Sequence, residues 1–248
     1  PDGEESVLRR RLADRGGNLD PDEVAYVILE PMQGEGGYRL PSPAFAEEVA
    51  DLCEAHGIPL IADEIQTGLG RSGEWWAADH YAFEPDVVTA AKGLRVGATL
   101  AAEGTFPDEP GRLSSTWGAG DLLSSLVGAA TIDVIRDRGL REHAARQGEA
   151  LKERLRGLES PHVEDVRGLG LLVAMEFDRK DRRDAVIEAA FERGLLLLPC
   201  GVRTLRLLPP MDVTDRELDL AVELLAEAMA DDRVERAEPA LPRSDEVT

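Results

Sequence analysis

Lysine is scarce in this chain of 248 residues: three of its 28 basic residues are lysines, at positions 92, 152 and 180. Basic charge is in deficit as a whole, since 49 acidic side chains bring the formal net charge to −21. Nucleic acid and anionic membranes are held by basic patches, so both are excluded as partners. An acid-rich, lysine-poor surface also suits a protein soluble in concentrated salt, where counterions screen its self-repulsion, and a halophilic source is the expectation. Cysteine is nearly absent. Cys53 and Cys200 lie far apart, which excludes a disulfide framework and a cysteine metal site, and both are expected as buried thiols. The histidines at 56, 80, 143 and 162 show no ligand spacing, so no metal is expected. No run of about 18 apolar residues and no basic leader occurs, which makes the cytoplasm the expected location. The chain opens on Pro1 in a polar, acidic stretch and is expected to be a fragment.

What is present is a well-punctuated alternation of strands and helices. Residues 4–16 read as a short charged helix, and VAYVILE at 24–30 as a buried strand stopped by Pro31. SPAFAEEVADLCEAHG carries a serine, a proline at the first helical position, helical apolar spacing and a final Gly57, the marks of a helix of about four turns. IPLIAD at 58–63 is a second strand, and this βαβ order demands a parallel sheet covered by helices. Ligands of such sheets bind at the carboxyl ends of the strands, where Glu30 and Asp63 fall. DVVTAAK and GATLAA follow as strands, and 120–158 as two amphipathic helices. From about 140 to 232 strands and helices alternate again in a smaller α+β unit: VEDVRGLGLLVAMEF as a strand pair or bent strand, a helix, the strands LLLLP and RTLRLLP, and a threonine-capped helix.

Within this frame Asp63 and Lys92 attract the chemistry. Each follows an apolar run, and Lys92 lies in DVVTAAK, whereas Lys152 in KERLR and Lys180 in DRKDRRD sit in plainly solvated settings. Burial and a nearby cation depress a lysine's pKa and suit it to Schiff-base chemistry, so Lys92 is the candidate covalent amine. The pair fits a site in which Lys92 holds an aldehyde cofactor and Asp63 keeps a ring nitrogen protonated. A buried structural ion pair fits the pattern more readily, and the pattern alone leaves both open.

The order of motifs goes further. EPMQGEGGYRLP at 30–41, IADEIQTGLGRSG at 61–73, AKGL at 91–94, SSTWGAG at 114–120, VRGLG at 166–170 and LLLLPCG at 195–201 resemble the class III aminotransferases, most of all the 4-aminobutyrate branch. The resemblance implies a pyridoxal 5′-phosphate enzyme of fold type I and an α/β fold: the C-terminal part of the large parallel or mixed-sheet domain at 1–138, a small α+β C-terminal domain at 139–234, and a disordered tail at 235–248. It implies Lys92 as the cofactor-linked catalytic lysine, Asp63 on the ring nitrogen, and Gln66 near the phenolic oxygen or ring face. It implies Thr116 on the cofactor phosphate of a neighbouring subunit, hence a homodimer. Arg167 is implied as a ligand of a substrate carboxylate, and Glu30 as the carboxylate that pairs with a mobile arginine; no partner arginine stands out for Glu30.

The same resemblance sets limits. SSTWGAGDLL and AKGLRVGA depart from the commoner runs beside the cofactor. The family's N-terminal half, with its phosphate cup, stacking aromatic and first strands, does not precede Asp63. The expected activity is transfer of an amino group from an ω-amino or basic amino acid donor to a 2-oxo acid, with this polypeptide inactive alone and completed by an N-terminal chain or segment. A racemase of the same family and a non-catalytic remnant or assembly module are the alternatives.

Overall fold

The computed structural model describes residues 6–12, 19–82, 84–107, 109, 112 and 120–237. The chain divides into two compact units, one of Pro1–Met32 with Leu40–Glu142 and the other of Gln33–Arg39 with His143–Thr248. Residues 33–39 therefore leave the first unit and return to it, an excursion that alternation of strands and helices does not signal.

In the first unit α1 (Val7–Leu12) is tied to α2 (Pro43–His56) by Arg9 Nε on Glu48 Oε1 at 2.8 Å. β1 (Val27–Leu29), β2 (Leu60–Asp63), β3 (Val87–Ala90) and β4 (Ala98–Ala101) form one sheet in that order, parallel except for the antiparallel β3–β4 pair. α2 is set by local chemistry. The Ser42 hydroxyl accepts the Phe45 N–H at 3.2 Å, Pro43 opens the first turn, and Gly57 at φ 62° ends the helix in the left-handed region that favours glycine. Its apolar face, Ala46, Val49 and Cys53, packs on Leu60 and Ala62 of β2. The strand expected to be buried at 24–30 is instead three residues at the edge of the sheet, with Tyr26 54% and Ile28 53% exposed. α2 covers one face there, and among the described strands β1 has β2 alone beside it.

α3 (Leu122–Asp137) starts where Asp121 Oδ2 accepts the Ser124 N–H at 2.7 Å. It is buried at Gly128 and Ile135, and a Cβ on Gly128 would stand 3.0 Å from the Leu94 carbonyl. Of its other apolar side chains Ile132 is half-buried, and Leu122, Leu123, Leu126, Val127 and Val134 are exposed.

In the second unit α4 (Leu140–Arg156), α5 (Lys180–Glu192), α6 (Asp215–Met229) and α7 (Asp232–Arg236) accompany a wholly antiparallel sheet of β5 (Val163–Leu169), β6 (Leu172–Phe177), β8 (Thr204–Leu207) and β7 (Leu198–Cys200). β6 is buried along its whole length, and Val173, Met175 and Phe177 form the core with Leu151, Leu155, Val186, Leu205, Leu218 and Leu225. Thr214 caps α6 as its sequence predicts, and Glu217 caps it in return. VEDVRGLGLLVAMEF is a hairpin, turning at Gly170 with φ 50°. Lys152, expected in solvent, is buried: its ammonium donates to Glu149 Oε1 at 2.7 Å and the Gly168 carbonyl at 3.0 Å, because α4 lies so close to the β5–β6 hairpin. Both cysteines are buried, and burial pushes each thiol above its usual pKa. Of the tail expected from 235, Glu235 and Arg236 close α7, and 238–248 lie outside the described residues. Among the described residues no helix is long and apolar enough to cross a membrane, and no group of acidic, histidine and cysteine side chains forms a metal cluster.

Candidate active site

Strand register builds the site in the first unit. Leu29 pairs with Ala62 and Asp63 with Thr89, so Glu30, Asp63 and Thr89 stand in a row across the carboxyl ends of β1, β2 and β3. Asp63 is half-buried. Its Oδ1 accepts the Ile65 N–H at 3.1 Å and the Thr89 hydroxyl at 3.2 Å, which fixes the carboxylate, while Oδ2 has no partner among the described residues. Glu30 is exposed, one residue past β1, and Gln66 is half-buried in the loop after Asp63.

β3 ends at Ala90, and Lys92 occupies the turn that follows. Its N–H donates to the Ile65 carbonyl at 3.3 Å, the residue whose own N–H binds Asp63, so one backbone segment joins the two side chains. The burial expected for Lys92 from its apolar run is not found: the run ends with the strand, and the lysine is exposed. Lys180 pairs with Asp184 and Lys152 with Glu149, but Lys92 Nζ makes no hydrogen bond or ion pair among the described residues. The glycines here answer to packing. A Cβ on Gly68 would meet the Trp76 ring at 2.8 Å, and one on Gly93 would meet Leu69 Cβ at 3.2 Å, so the two loops close over each other only with glycine. Thr116 lies outside the described residues.

Sequence reasoning missed Glu64, which is 1% exposed. Its Oε2 accepts the Thr67 hydroxyl and its Oε1 the Ala78 N–H at 2.8 Å, while its own N–H donates to the Thr89 carbonyl at 3.0 Å. Burial pushes its pKa up, against the pull of those hydrogen bonds. The nearby Tyr81 is pushed up to about 12 by its own burial and then by the Glu64 charge. The available signal was a second acid directly after the strand-ending aspartate with a threonine three residues on.

The second unit holds the expected Arg167 and two residues the sequence did not single out. Arg206 Nη1 donates to Glu35 Oε1 at 2.6 Å, and the Arg206 side chain is only 12% exposed. Burial opposes the Arg206 charge, but the Glu35 carboxylate outweighs it and leaves its pKa above the ordinary arginine value. Arg167 contacts Glu176 at 2.7 Å and Asp165 at 2.8 Å, and donates to the Gly37 and Tyr38 carbonyls at 2.6 and 3.1 Å. A cleft of about 470 Å³ lies at the other end of β2, lined by Cys53, Glu54, Leu60, Glu84 and Asp86 among others. It is acidic, without an amine, and at the amino end of the strand, where sheets of this kind do not bind ligands. At the carboxyl ends, by contrast, an unpaired primary amine can add to an aldehyde, and a fixed carboxylate can hold a protonated ring nitrogen.

Comparison with known proteins gives the family. The family model for class III aminotransferases matches residues 2–229. An acetylornithine aminotransferase of Synechocystis is 36% identical over 232 residues, covering 89% of this chain and 54% of that protein. A probable 4-aminobutyrate aminotransferase of Bacillus subtilis is 35% identical over 225 residues, covering 84% and 51%. The solved ornithine aminotransferase of Toxoplasma gondii, described with partial occupancy of pyridoxal phosphate at its active site, superposes with a TM-score of 0.80 at 34% identity, over 88% of this chain and 53% of that one. The chain spans about half the length of the curated relatives it matches.

Proposed function

Because the chain belongs to the class III aminotransferases, with the fold type I architecture of its solved relatives, we propose that it carries the cofactor-anchoring part of a pyridoxal 5′-phosphate transaminase. The observation that carries this reading is the Lys92 amine, without a partner among the described residues, on a residue whose backbone N–H binds the Ile65 carbonyl, while the Ile65 N–H binds the Asp63 carboxylate, which has one oxygen engaged and one open. The donor set fits the cofactor's ring: Lys92 Nζ would hold the aldehyde carbon, Asp63 the protonated pyridine nitrogen, and Gln66 the ring face or phenolic oxygen. When bound, the cofactor supplies an electron sink for a carbanion at the carbon bearing the amino group. The chain's own residues do the rest. Asp63 maintains a positive charge opposite its carboxylate, Thr89 and Ile65 keep that carboxylate oriented, and Lys92 Nζ takes and returns the proton. Thr116 is assigned to the phosphate of a second subunit, and with it a dimer.

The substrates proposed are an ω-amino or basic amino acid donor and a 2-oxo acid acceptor, which the names of the relatives support. Glu30 is assigned the pairing with a mobile arginine that the resemblance implies; Glu35 pairs with Arg206 within the second unit. Nothing favours the racemase, since the relatives named above are aminotransferases. We further propose a cytoplasmic enzyme of a salt-rich interior, in which this polypeptide by itself has little or no turnover and needs an N-terminal segment or chain. The test is borohydride reduction in the presence of pyridoxal phosphate, alone and with an N-terminal half supplied, followed by peptide mass analysis. A pyridoxyl group on the Lys92 peptide, absent from Lys92→Ala, is expected with the half supplied. Label on Lys152 or Lys180 instead, or none in either arm, would remove the reading, and turnover of a donor with 2-oxoglutarate by the isolated chain would remove the claim of dependence.

A further inference from the structure

Arg167 has no donor left to offer. Nε–H donates to the Tyr38 carbonyl at 3.1 Å, Nη1 faces Asp165 Oδ2 at 2.8 Å and Glu176 Oε2 at 2.7 Å, and Nη2 donates to the Gly37 carbonyl at 2.6 Å and reaches the Thr204 hydroxyl at 3.4 Å. A guanidinium has five N–H donors in a planar fork, and here each direction meets an acceptor. Two of those acceptors are themselves buried, Glu176 at 7% exposure and Thr204 at 1%; Arg203 also reaches Glu176, at 3.1 Å, but a substrate carboxylate that recruited Arg167 would have to displace contacts with buried groups. The expectation that Arg167 grips a substrate carboxylate therefore meets a side chain already spent.

What it is spent on is the segment 33–39. Gln33 N–H closes that segment on the Arg39 carbonyl at 3.0 Å, and Gly201 N–H pins it from β7–β8 through the Glu35 carbonyl at 2.7 Å. Gly37 has φ 108° and Tyr38 φ 51°, so two successive residues sit in the left-handed region, the second bulky and fully buried. Arg167 binds the carbonyls of these two residues. Glu35, two residues earlier, carries the ion pair with Arg206, and Arg206 and Thr204 belong to the same strand β8. Lys152, on the Gly168 carbonyl next to Arg167, holds β5 in place behind the clamp.

We infer that Arg167 is a positioning residue that does not touch a substrate carboxylate: it clamps Gly37 and Tyr38 so that Glu35 is presented to Arg206. The inference rests on the proposed transaminase reading for the word substrate, but the clamp itself does not. Amide hydrogen exchange on the full chain, with neither cofactor nor substrate, reads the clamp at Gln33 and Gly201. Arg167→Lys keeps the charge but loses the fork, and exchange at both amides is expected to rise about tenfold or more while core amides of β6 stay protected. Thr204→Val removes one acceptor from the same guanidinium and tests the clamp independently should Arg167→Lys fail to fold; a smaller rise at Gln33 is expected. Parental exchange in the folded variants would overturn the clamp, whatever the enzyme turns out to catalyse. In the holoenzyme assembled with its N-terminal half, Arg167→Lys is expected to leave KM for the 2-oxo acid near the parental value. A selective rise in KM for the 2-oxo acid with exchange unchanged would return Arg167 to carboxylate binding. Absence of any transamination with exchange accelerated would sink the functional reading and leave the clamp standing.

Discussion

A carboxyl group at 1% exposure, Glu64, ties the loop beside the candidate cofactor anchor to the strand that carries it. Replacing it with alanine orphans the Thr67 hydroxyl and the Ala78 N–H, each worth about 1–3 kcal/mol when left unsatisfied in the interior. Glu64→Ala is thus expected to lower the urea midpoint strongly, and Glu64→Gln, which keeps the acceptor for Ala78, much less. The pH dependence has a definite sign. Burial raises the folded-state pKa of Glu64 above its ordinary 4.5, so the folded chain holds that proton more tightly than the unfolded one. Its favourable contribution is complete below the ordinary value and is lost as pH rises through the raised one. Thermal unfolding followed across that interval should show a fall in stability in the parent that Glu64→Gln flattens; parallel profiles would sink the assignment. At this scale Asp63 and Lys92 were legible in the sequence because each ends an apolar run. Glu64 was not, since a charged letter after a strand reads as solvent until the Ala78 N–H is seen folded over it.

At the scale of elements, α2 is the most locally determined piece of the molecule: Ser42, Pro43 and Gly57 supply its start and stop from within its own sequence. The β5–β6 hairpin is the reverse case. Gly148 in α4 lies so close to Gly170 that a Cβ would stand 1.9 Å from the Gly170 carbonyl, and one on Gly168 would be 2.0 Å from the Leu172 carbonyl. Gly148→Ala is expected to cost about 1–3 kcal/mol or more by forcing the helix off the hairpin, and to expose Lys152 in doing so. Denaturant unfolding, with the solvent reactivity of the Lys152 amine, checks both. An alanine variant of parental stability would mean that α4 and the hairpin are not in contact. The letter G in QGEA at 147–150 gives no sign of this, because the reason for it is a turn some twenty residues later in the chain.

For the whole molecule the decisive quantities are charge and uncovered apolar surface. A net charge of −21 stores self-repulsion that salt relieves, and the unfolding midpoint is expected to climb as potassium chloride is raised from dilute buffer to molar concentration. Stability that is full in dilute buffer, or that falls with salt, would count against the salt-adapted reading. Tyr26 and Ile28 on the β1 edge and Leu122, Leu123 and Leu126 on α3 are exposed, and a sheet edge and a helix face of this kind ask for covering. That agrees with a chain spanning about half the length of its relatives.

The sequence by itself determined the alternation of strands and helices, the parallel pairing of the βαβ strands, and Asp63 at a strand end with Lys92 just past one, because periodicity, capping and strand termination act between residues a few positions apart; the family entered through the resemblance of its motifs. Tertiary structure alone decided that Lys92 is exposed and Lys152 buried, that residues 33–39 belong with the second unit, that Arg206 meets Glu35, and that Arg167 is engaged on every side. Arg167 and Tyr38 are 129 positions apart, Glu35 and Arg206 are 171, and contacts at such separation are set by how sheets and helices pack, which no local pattern of residues encodes.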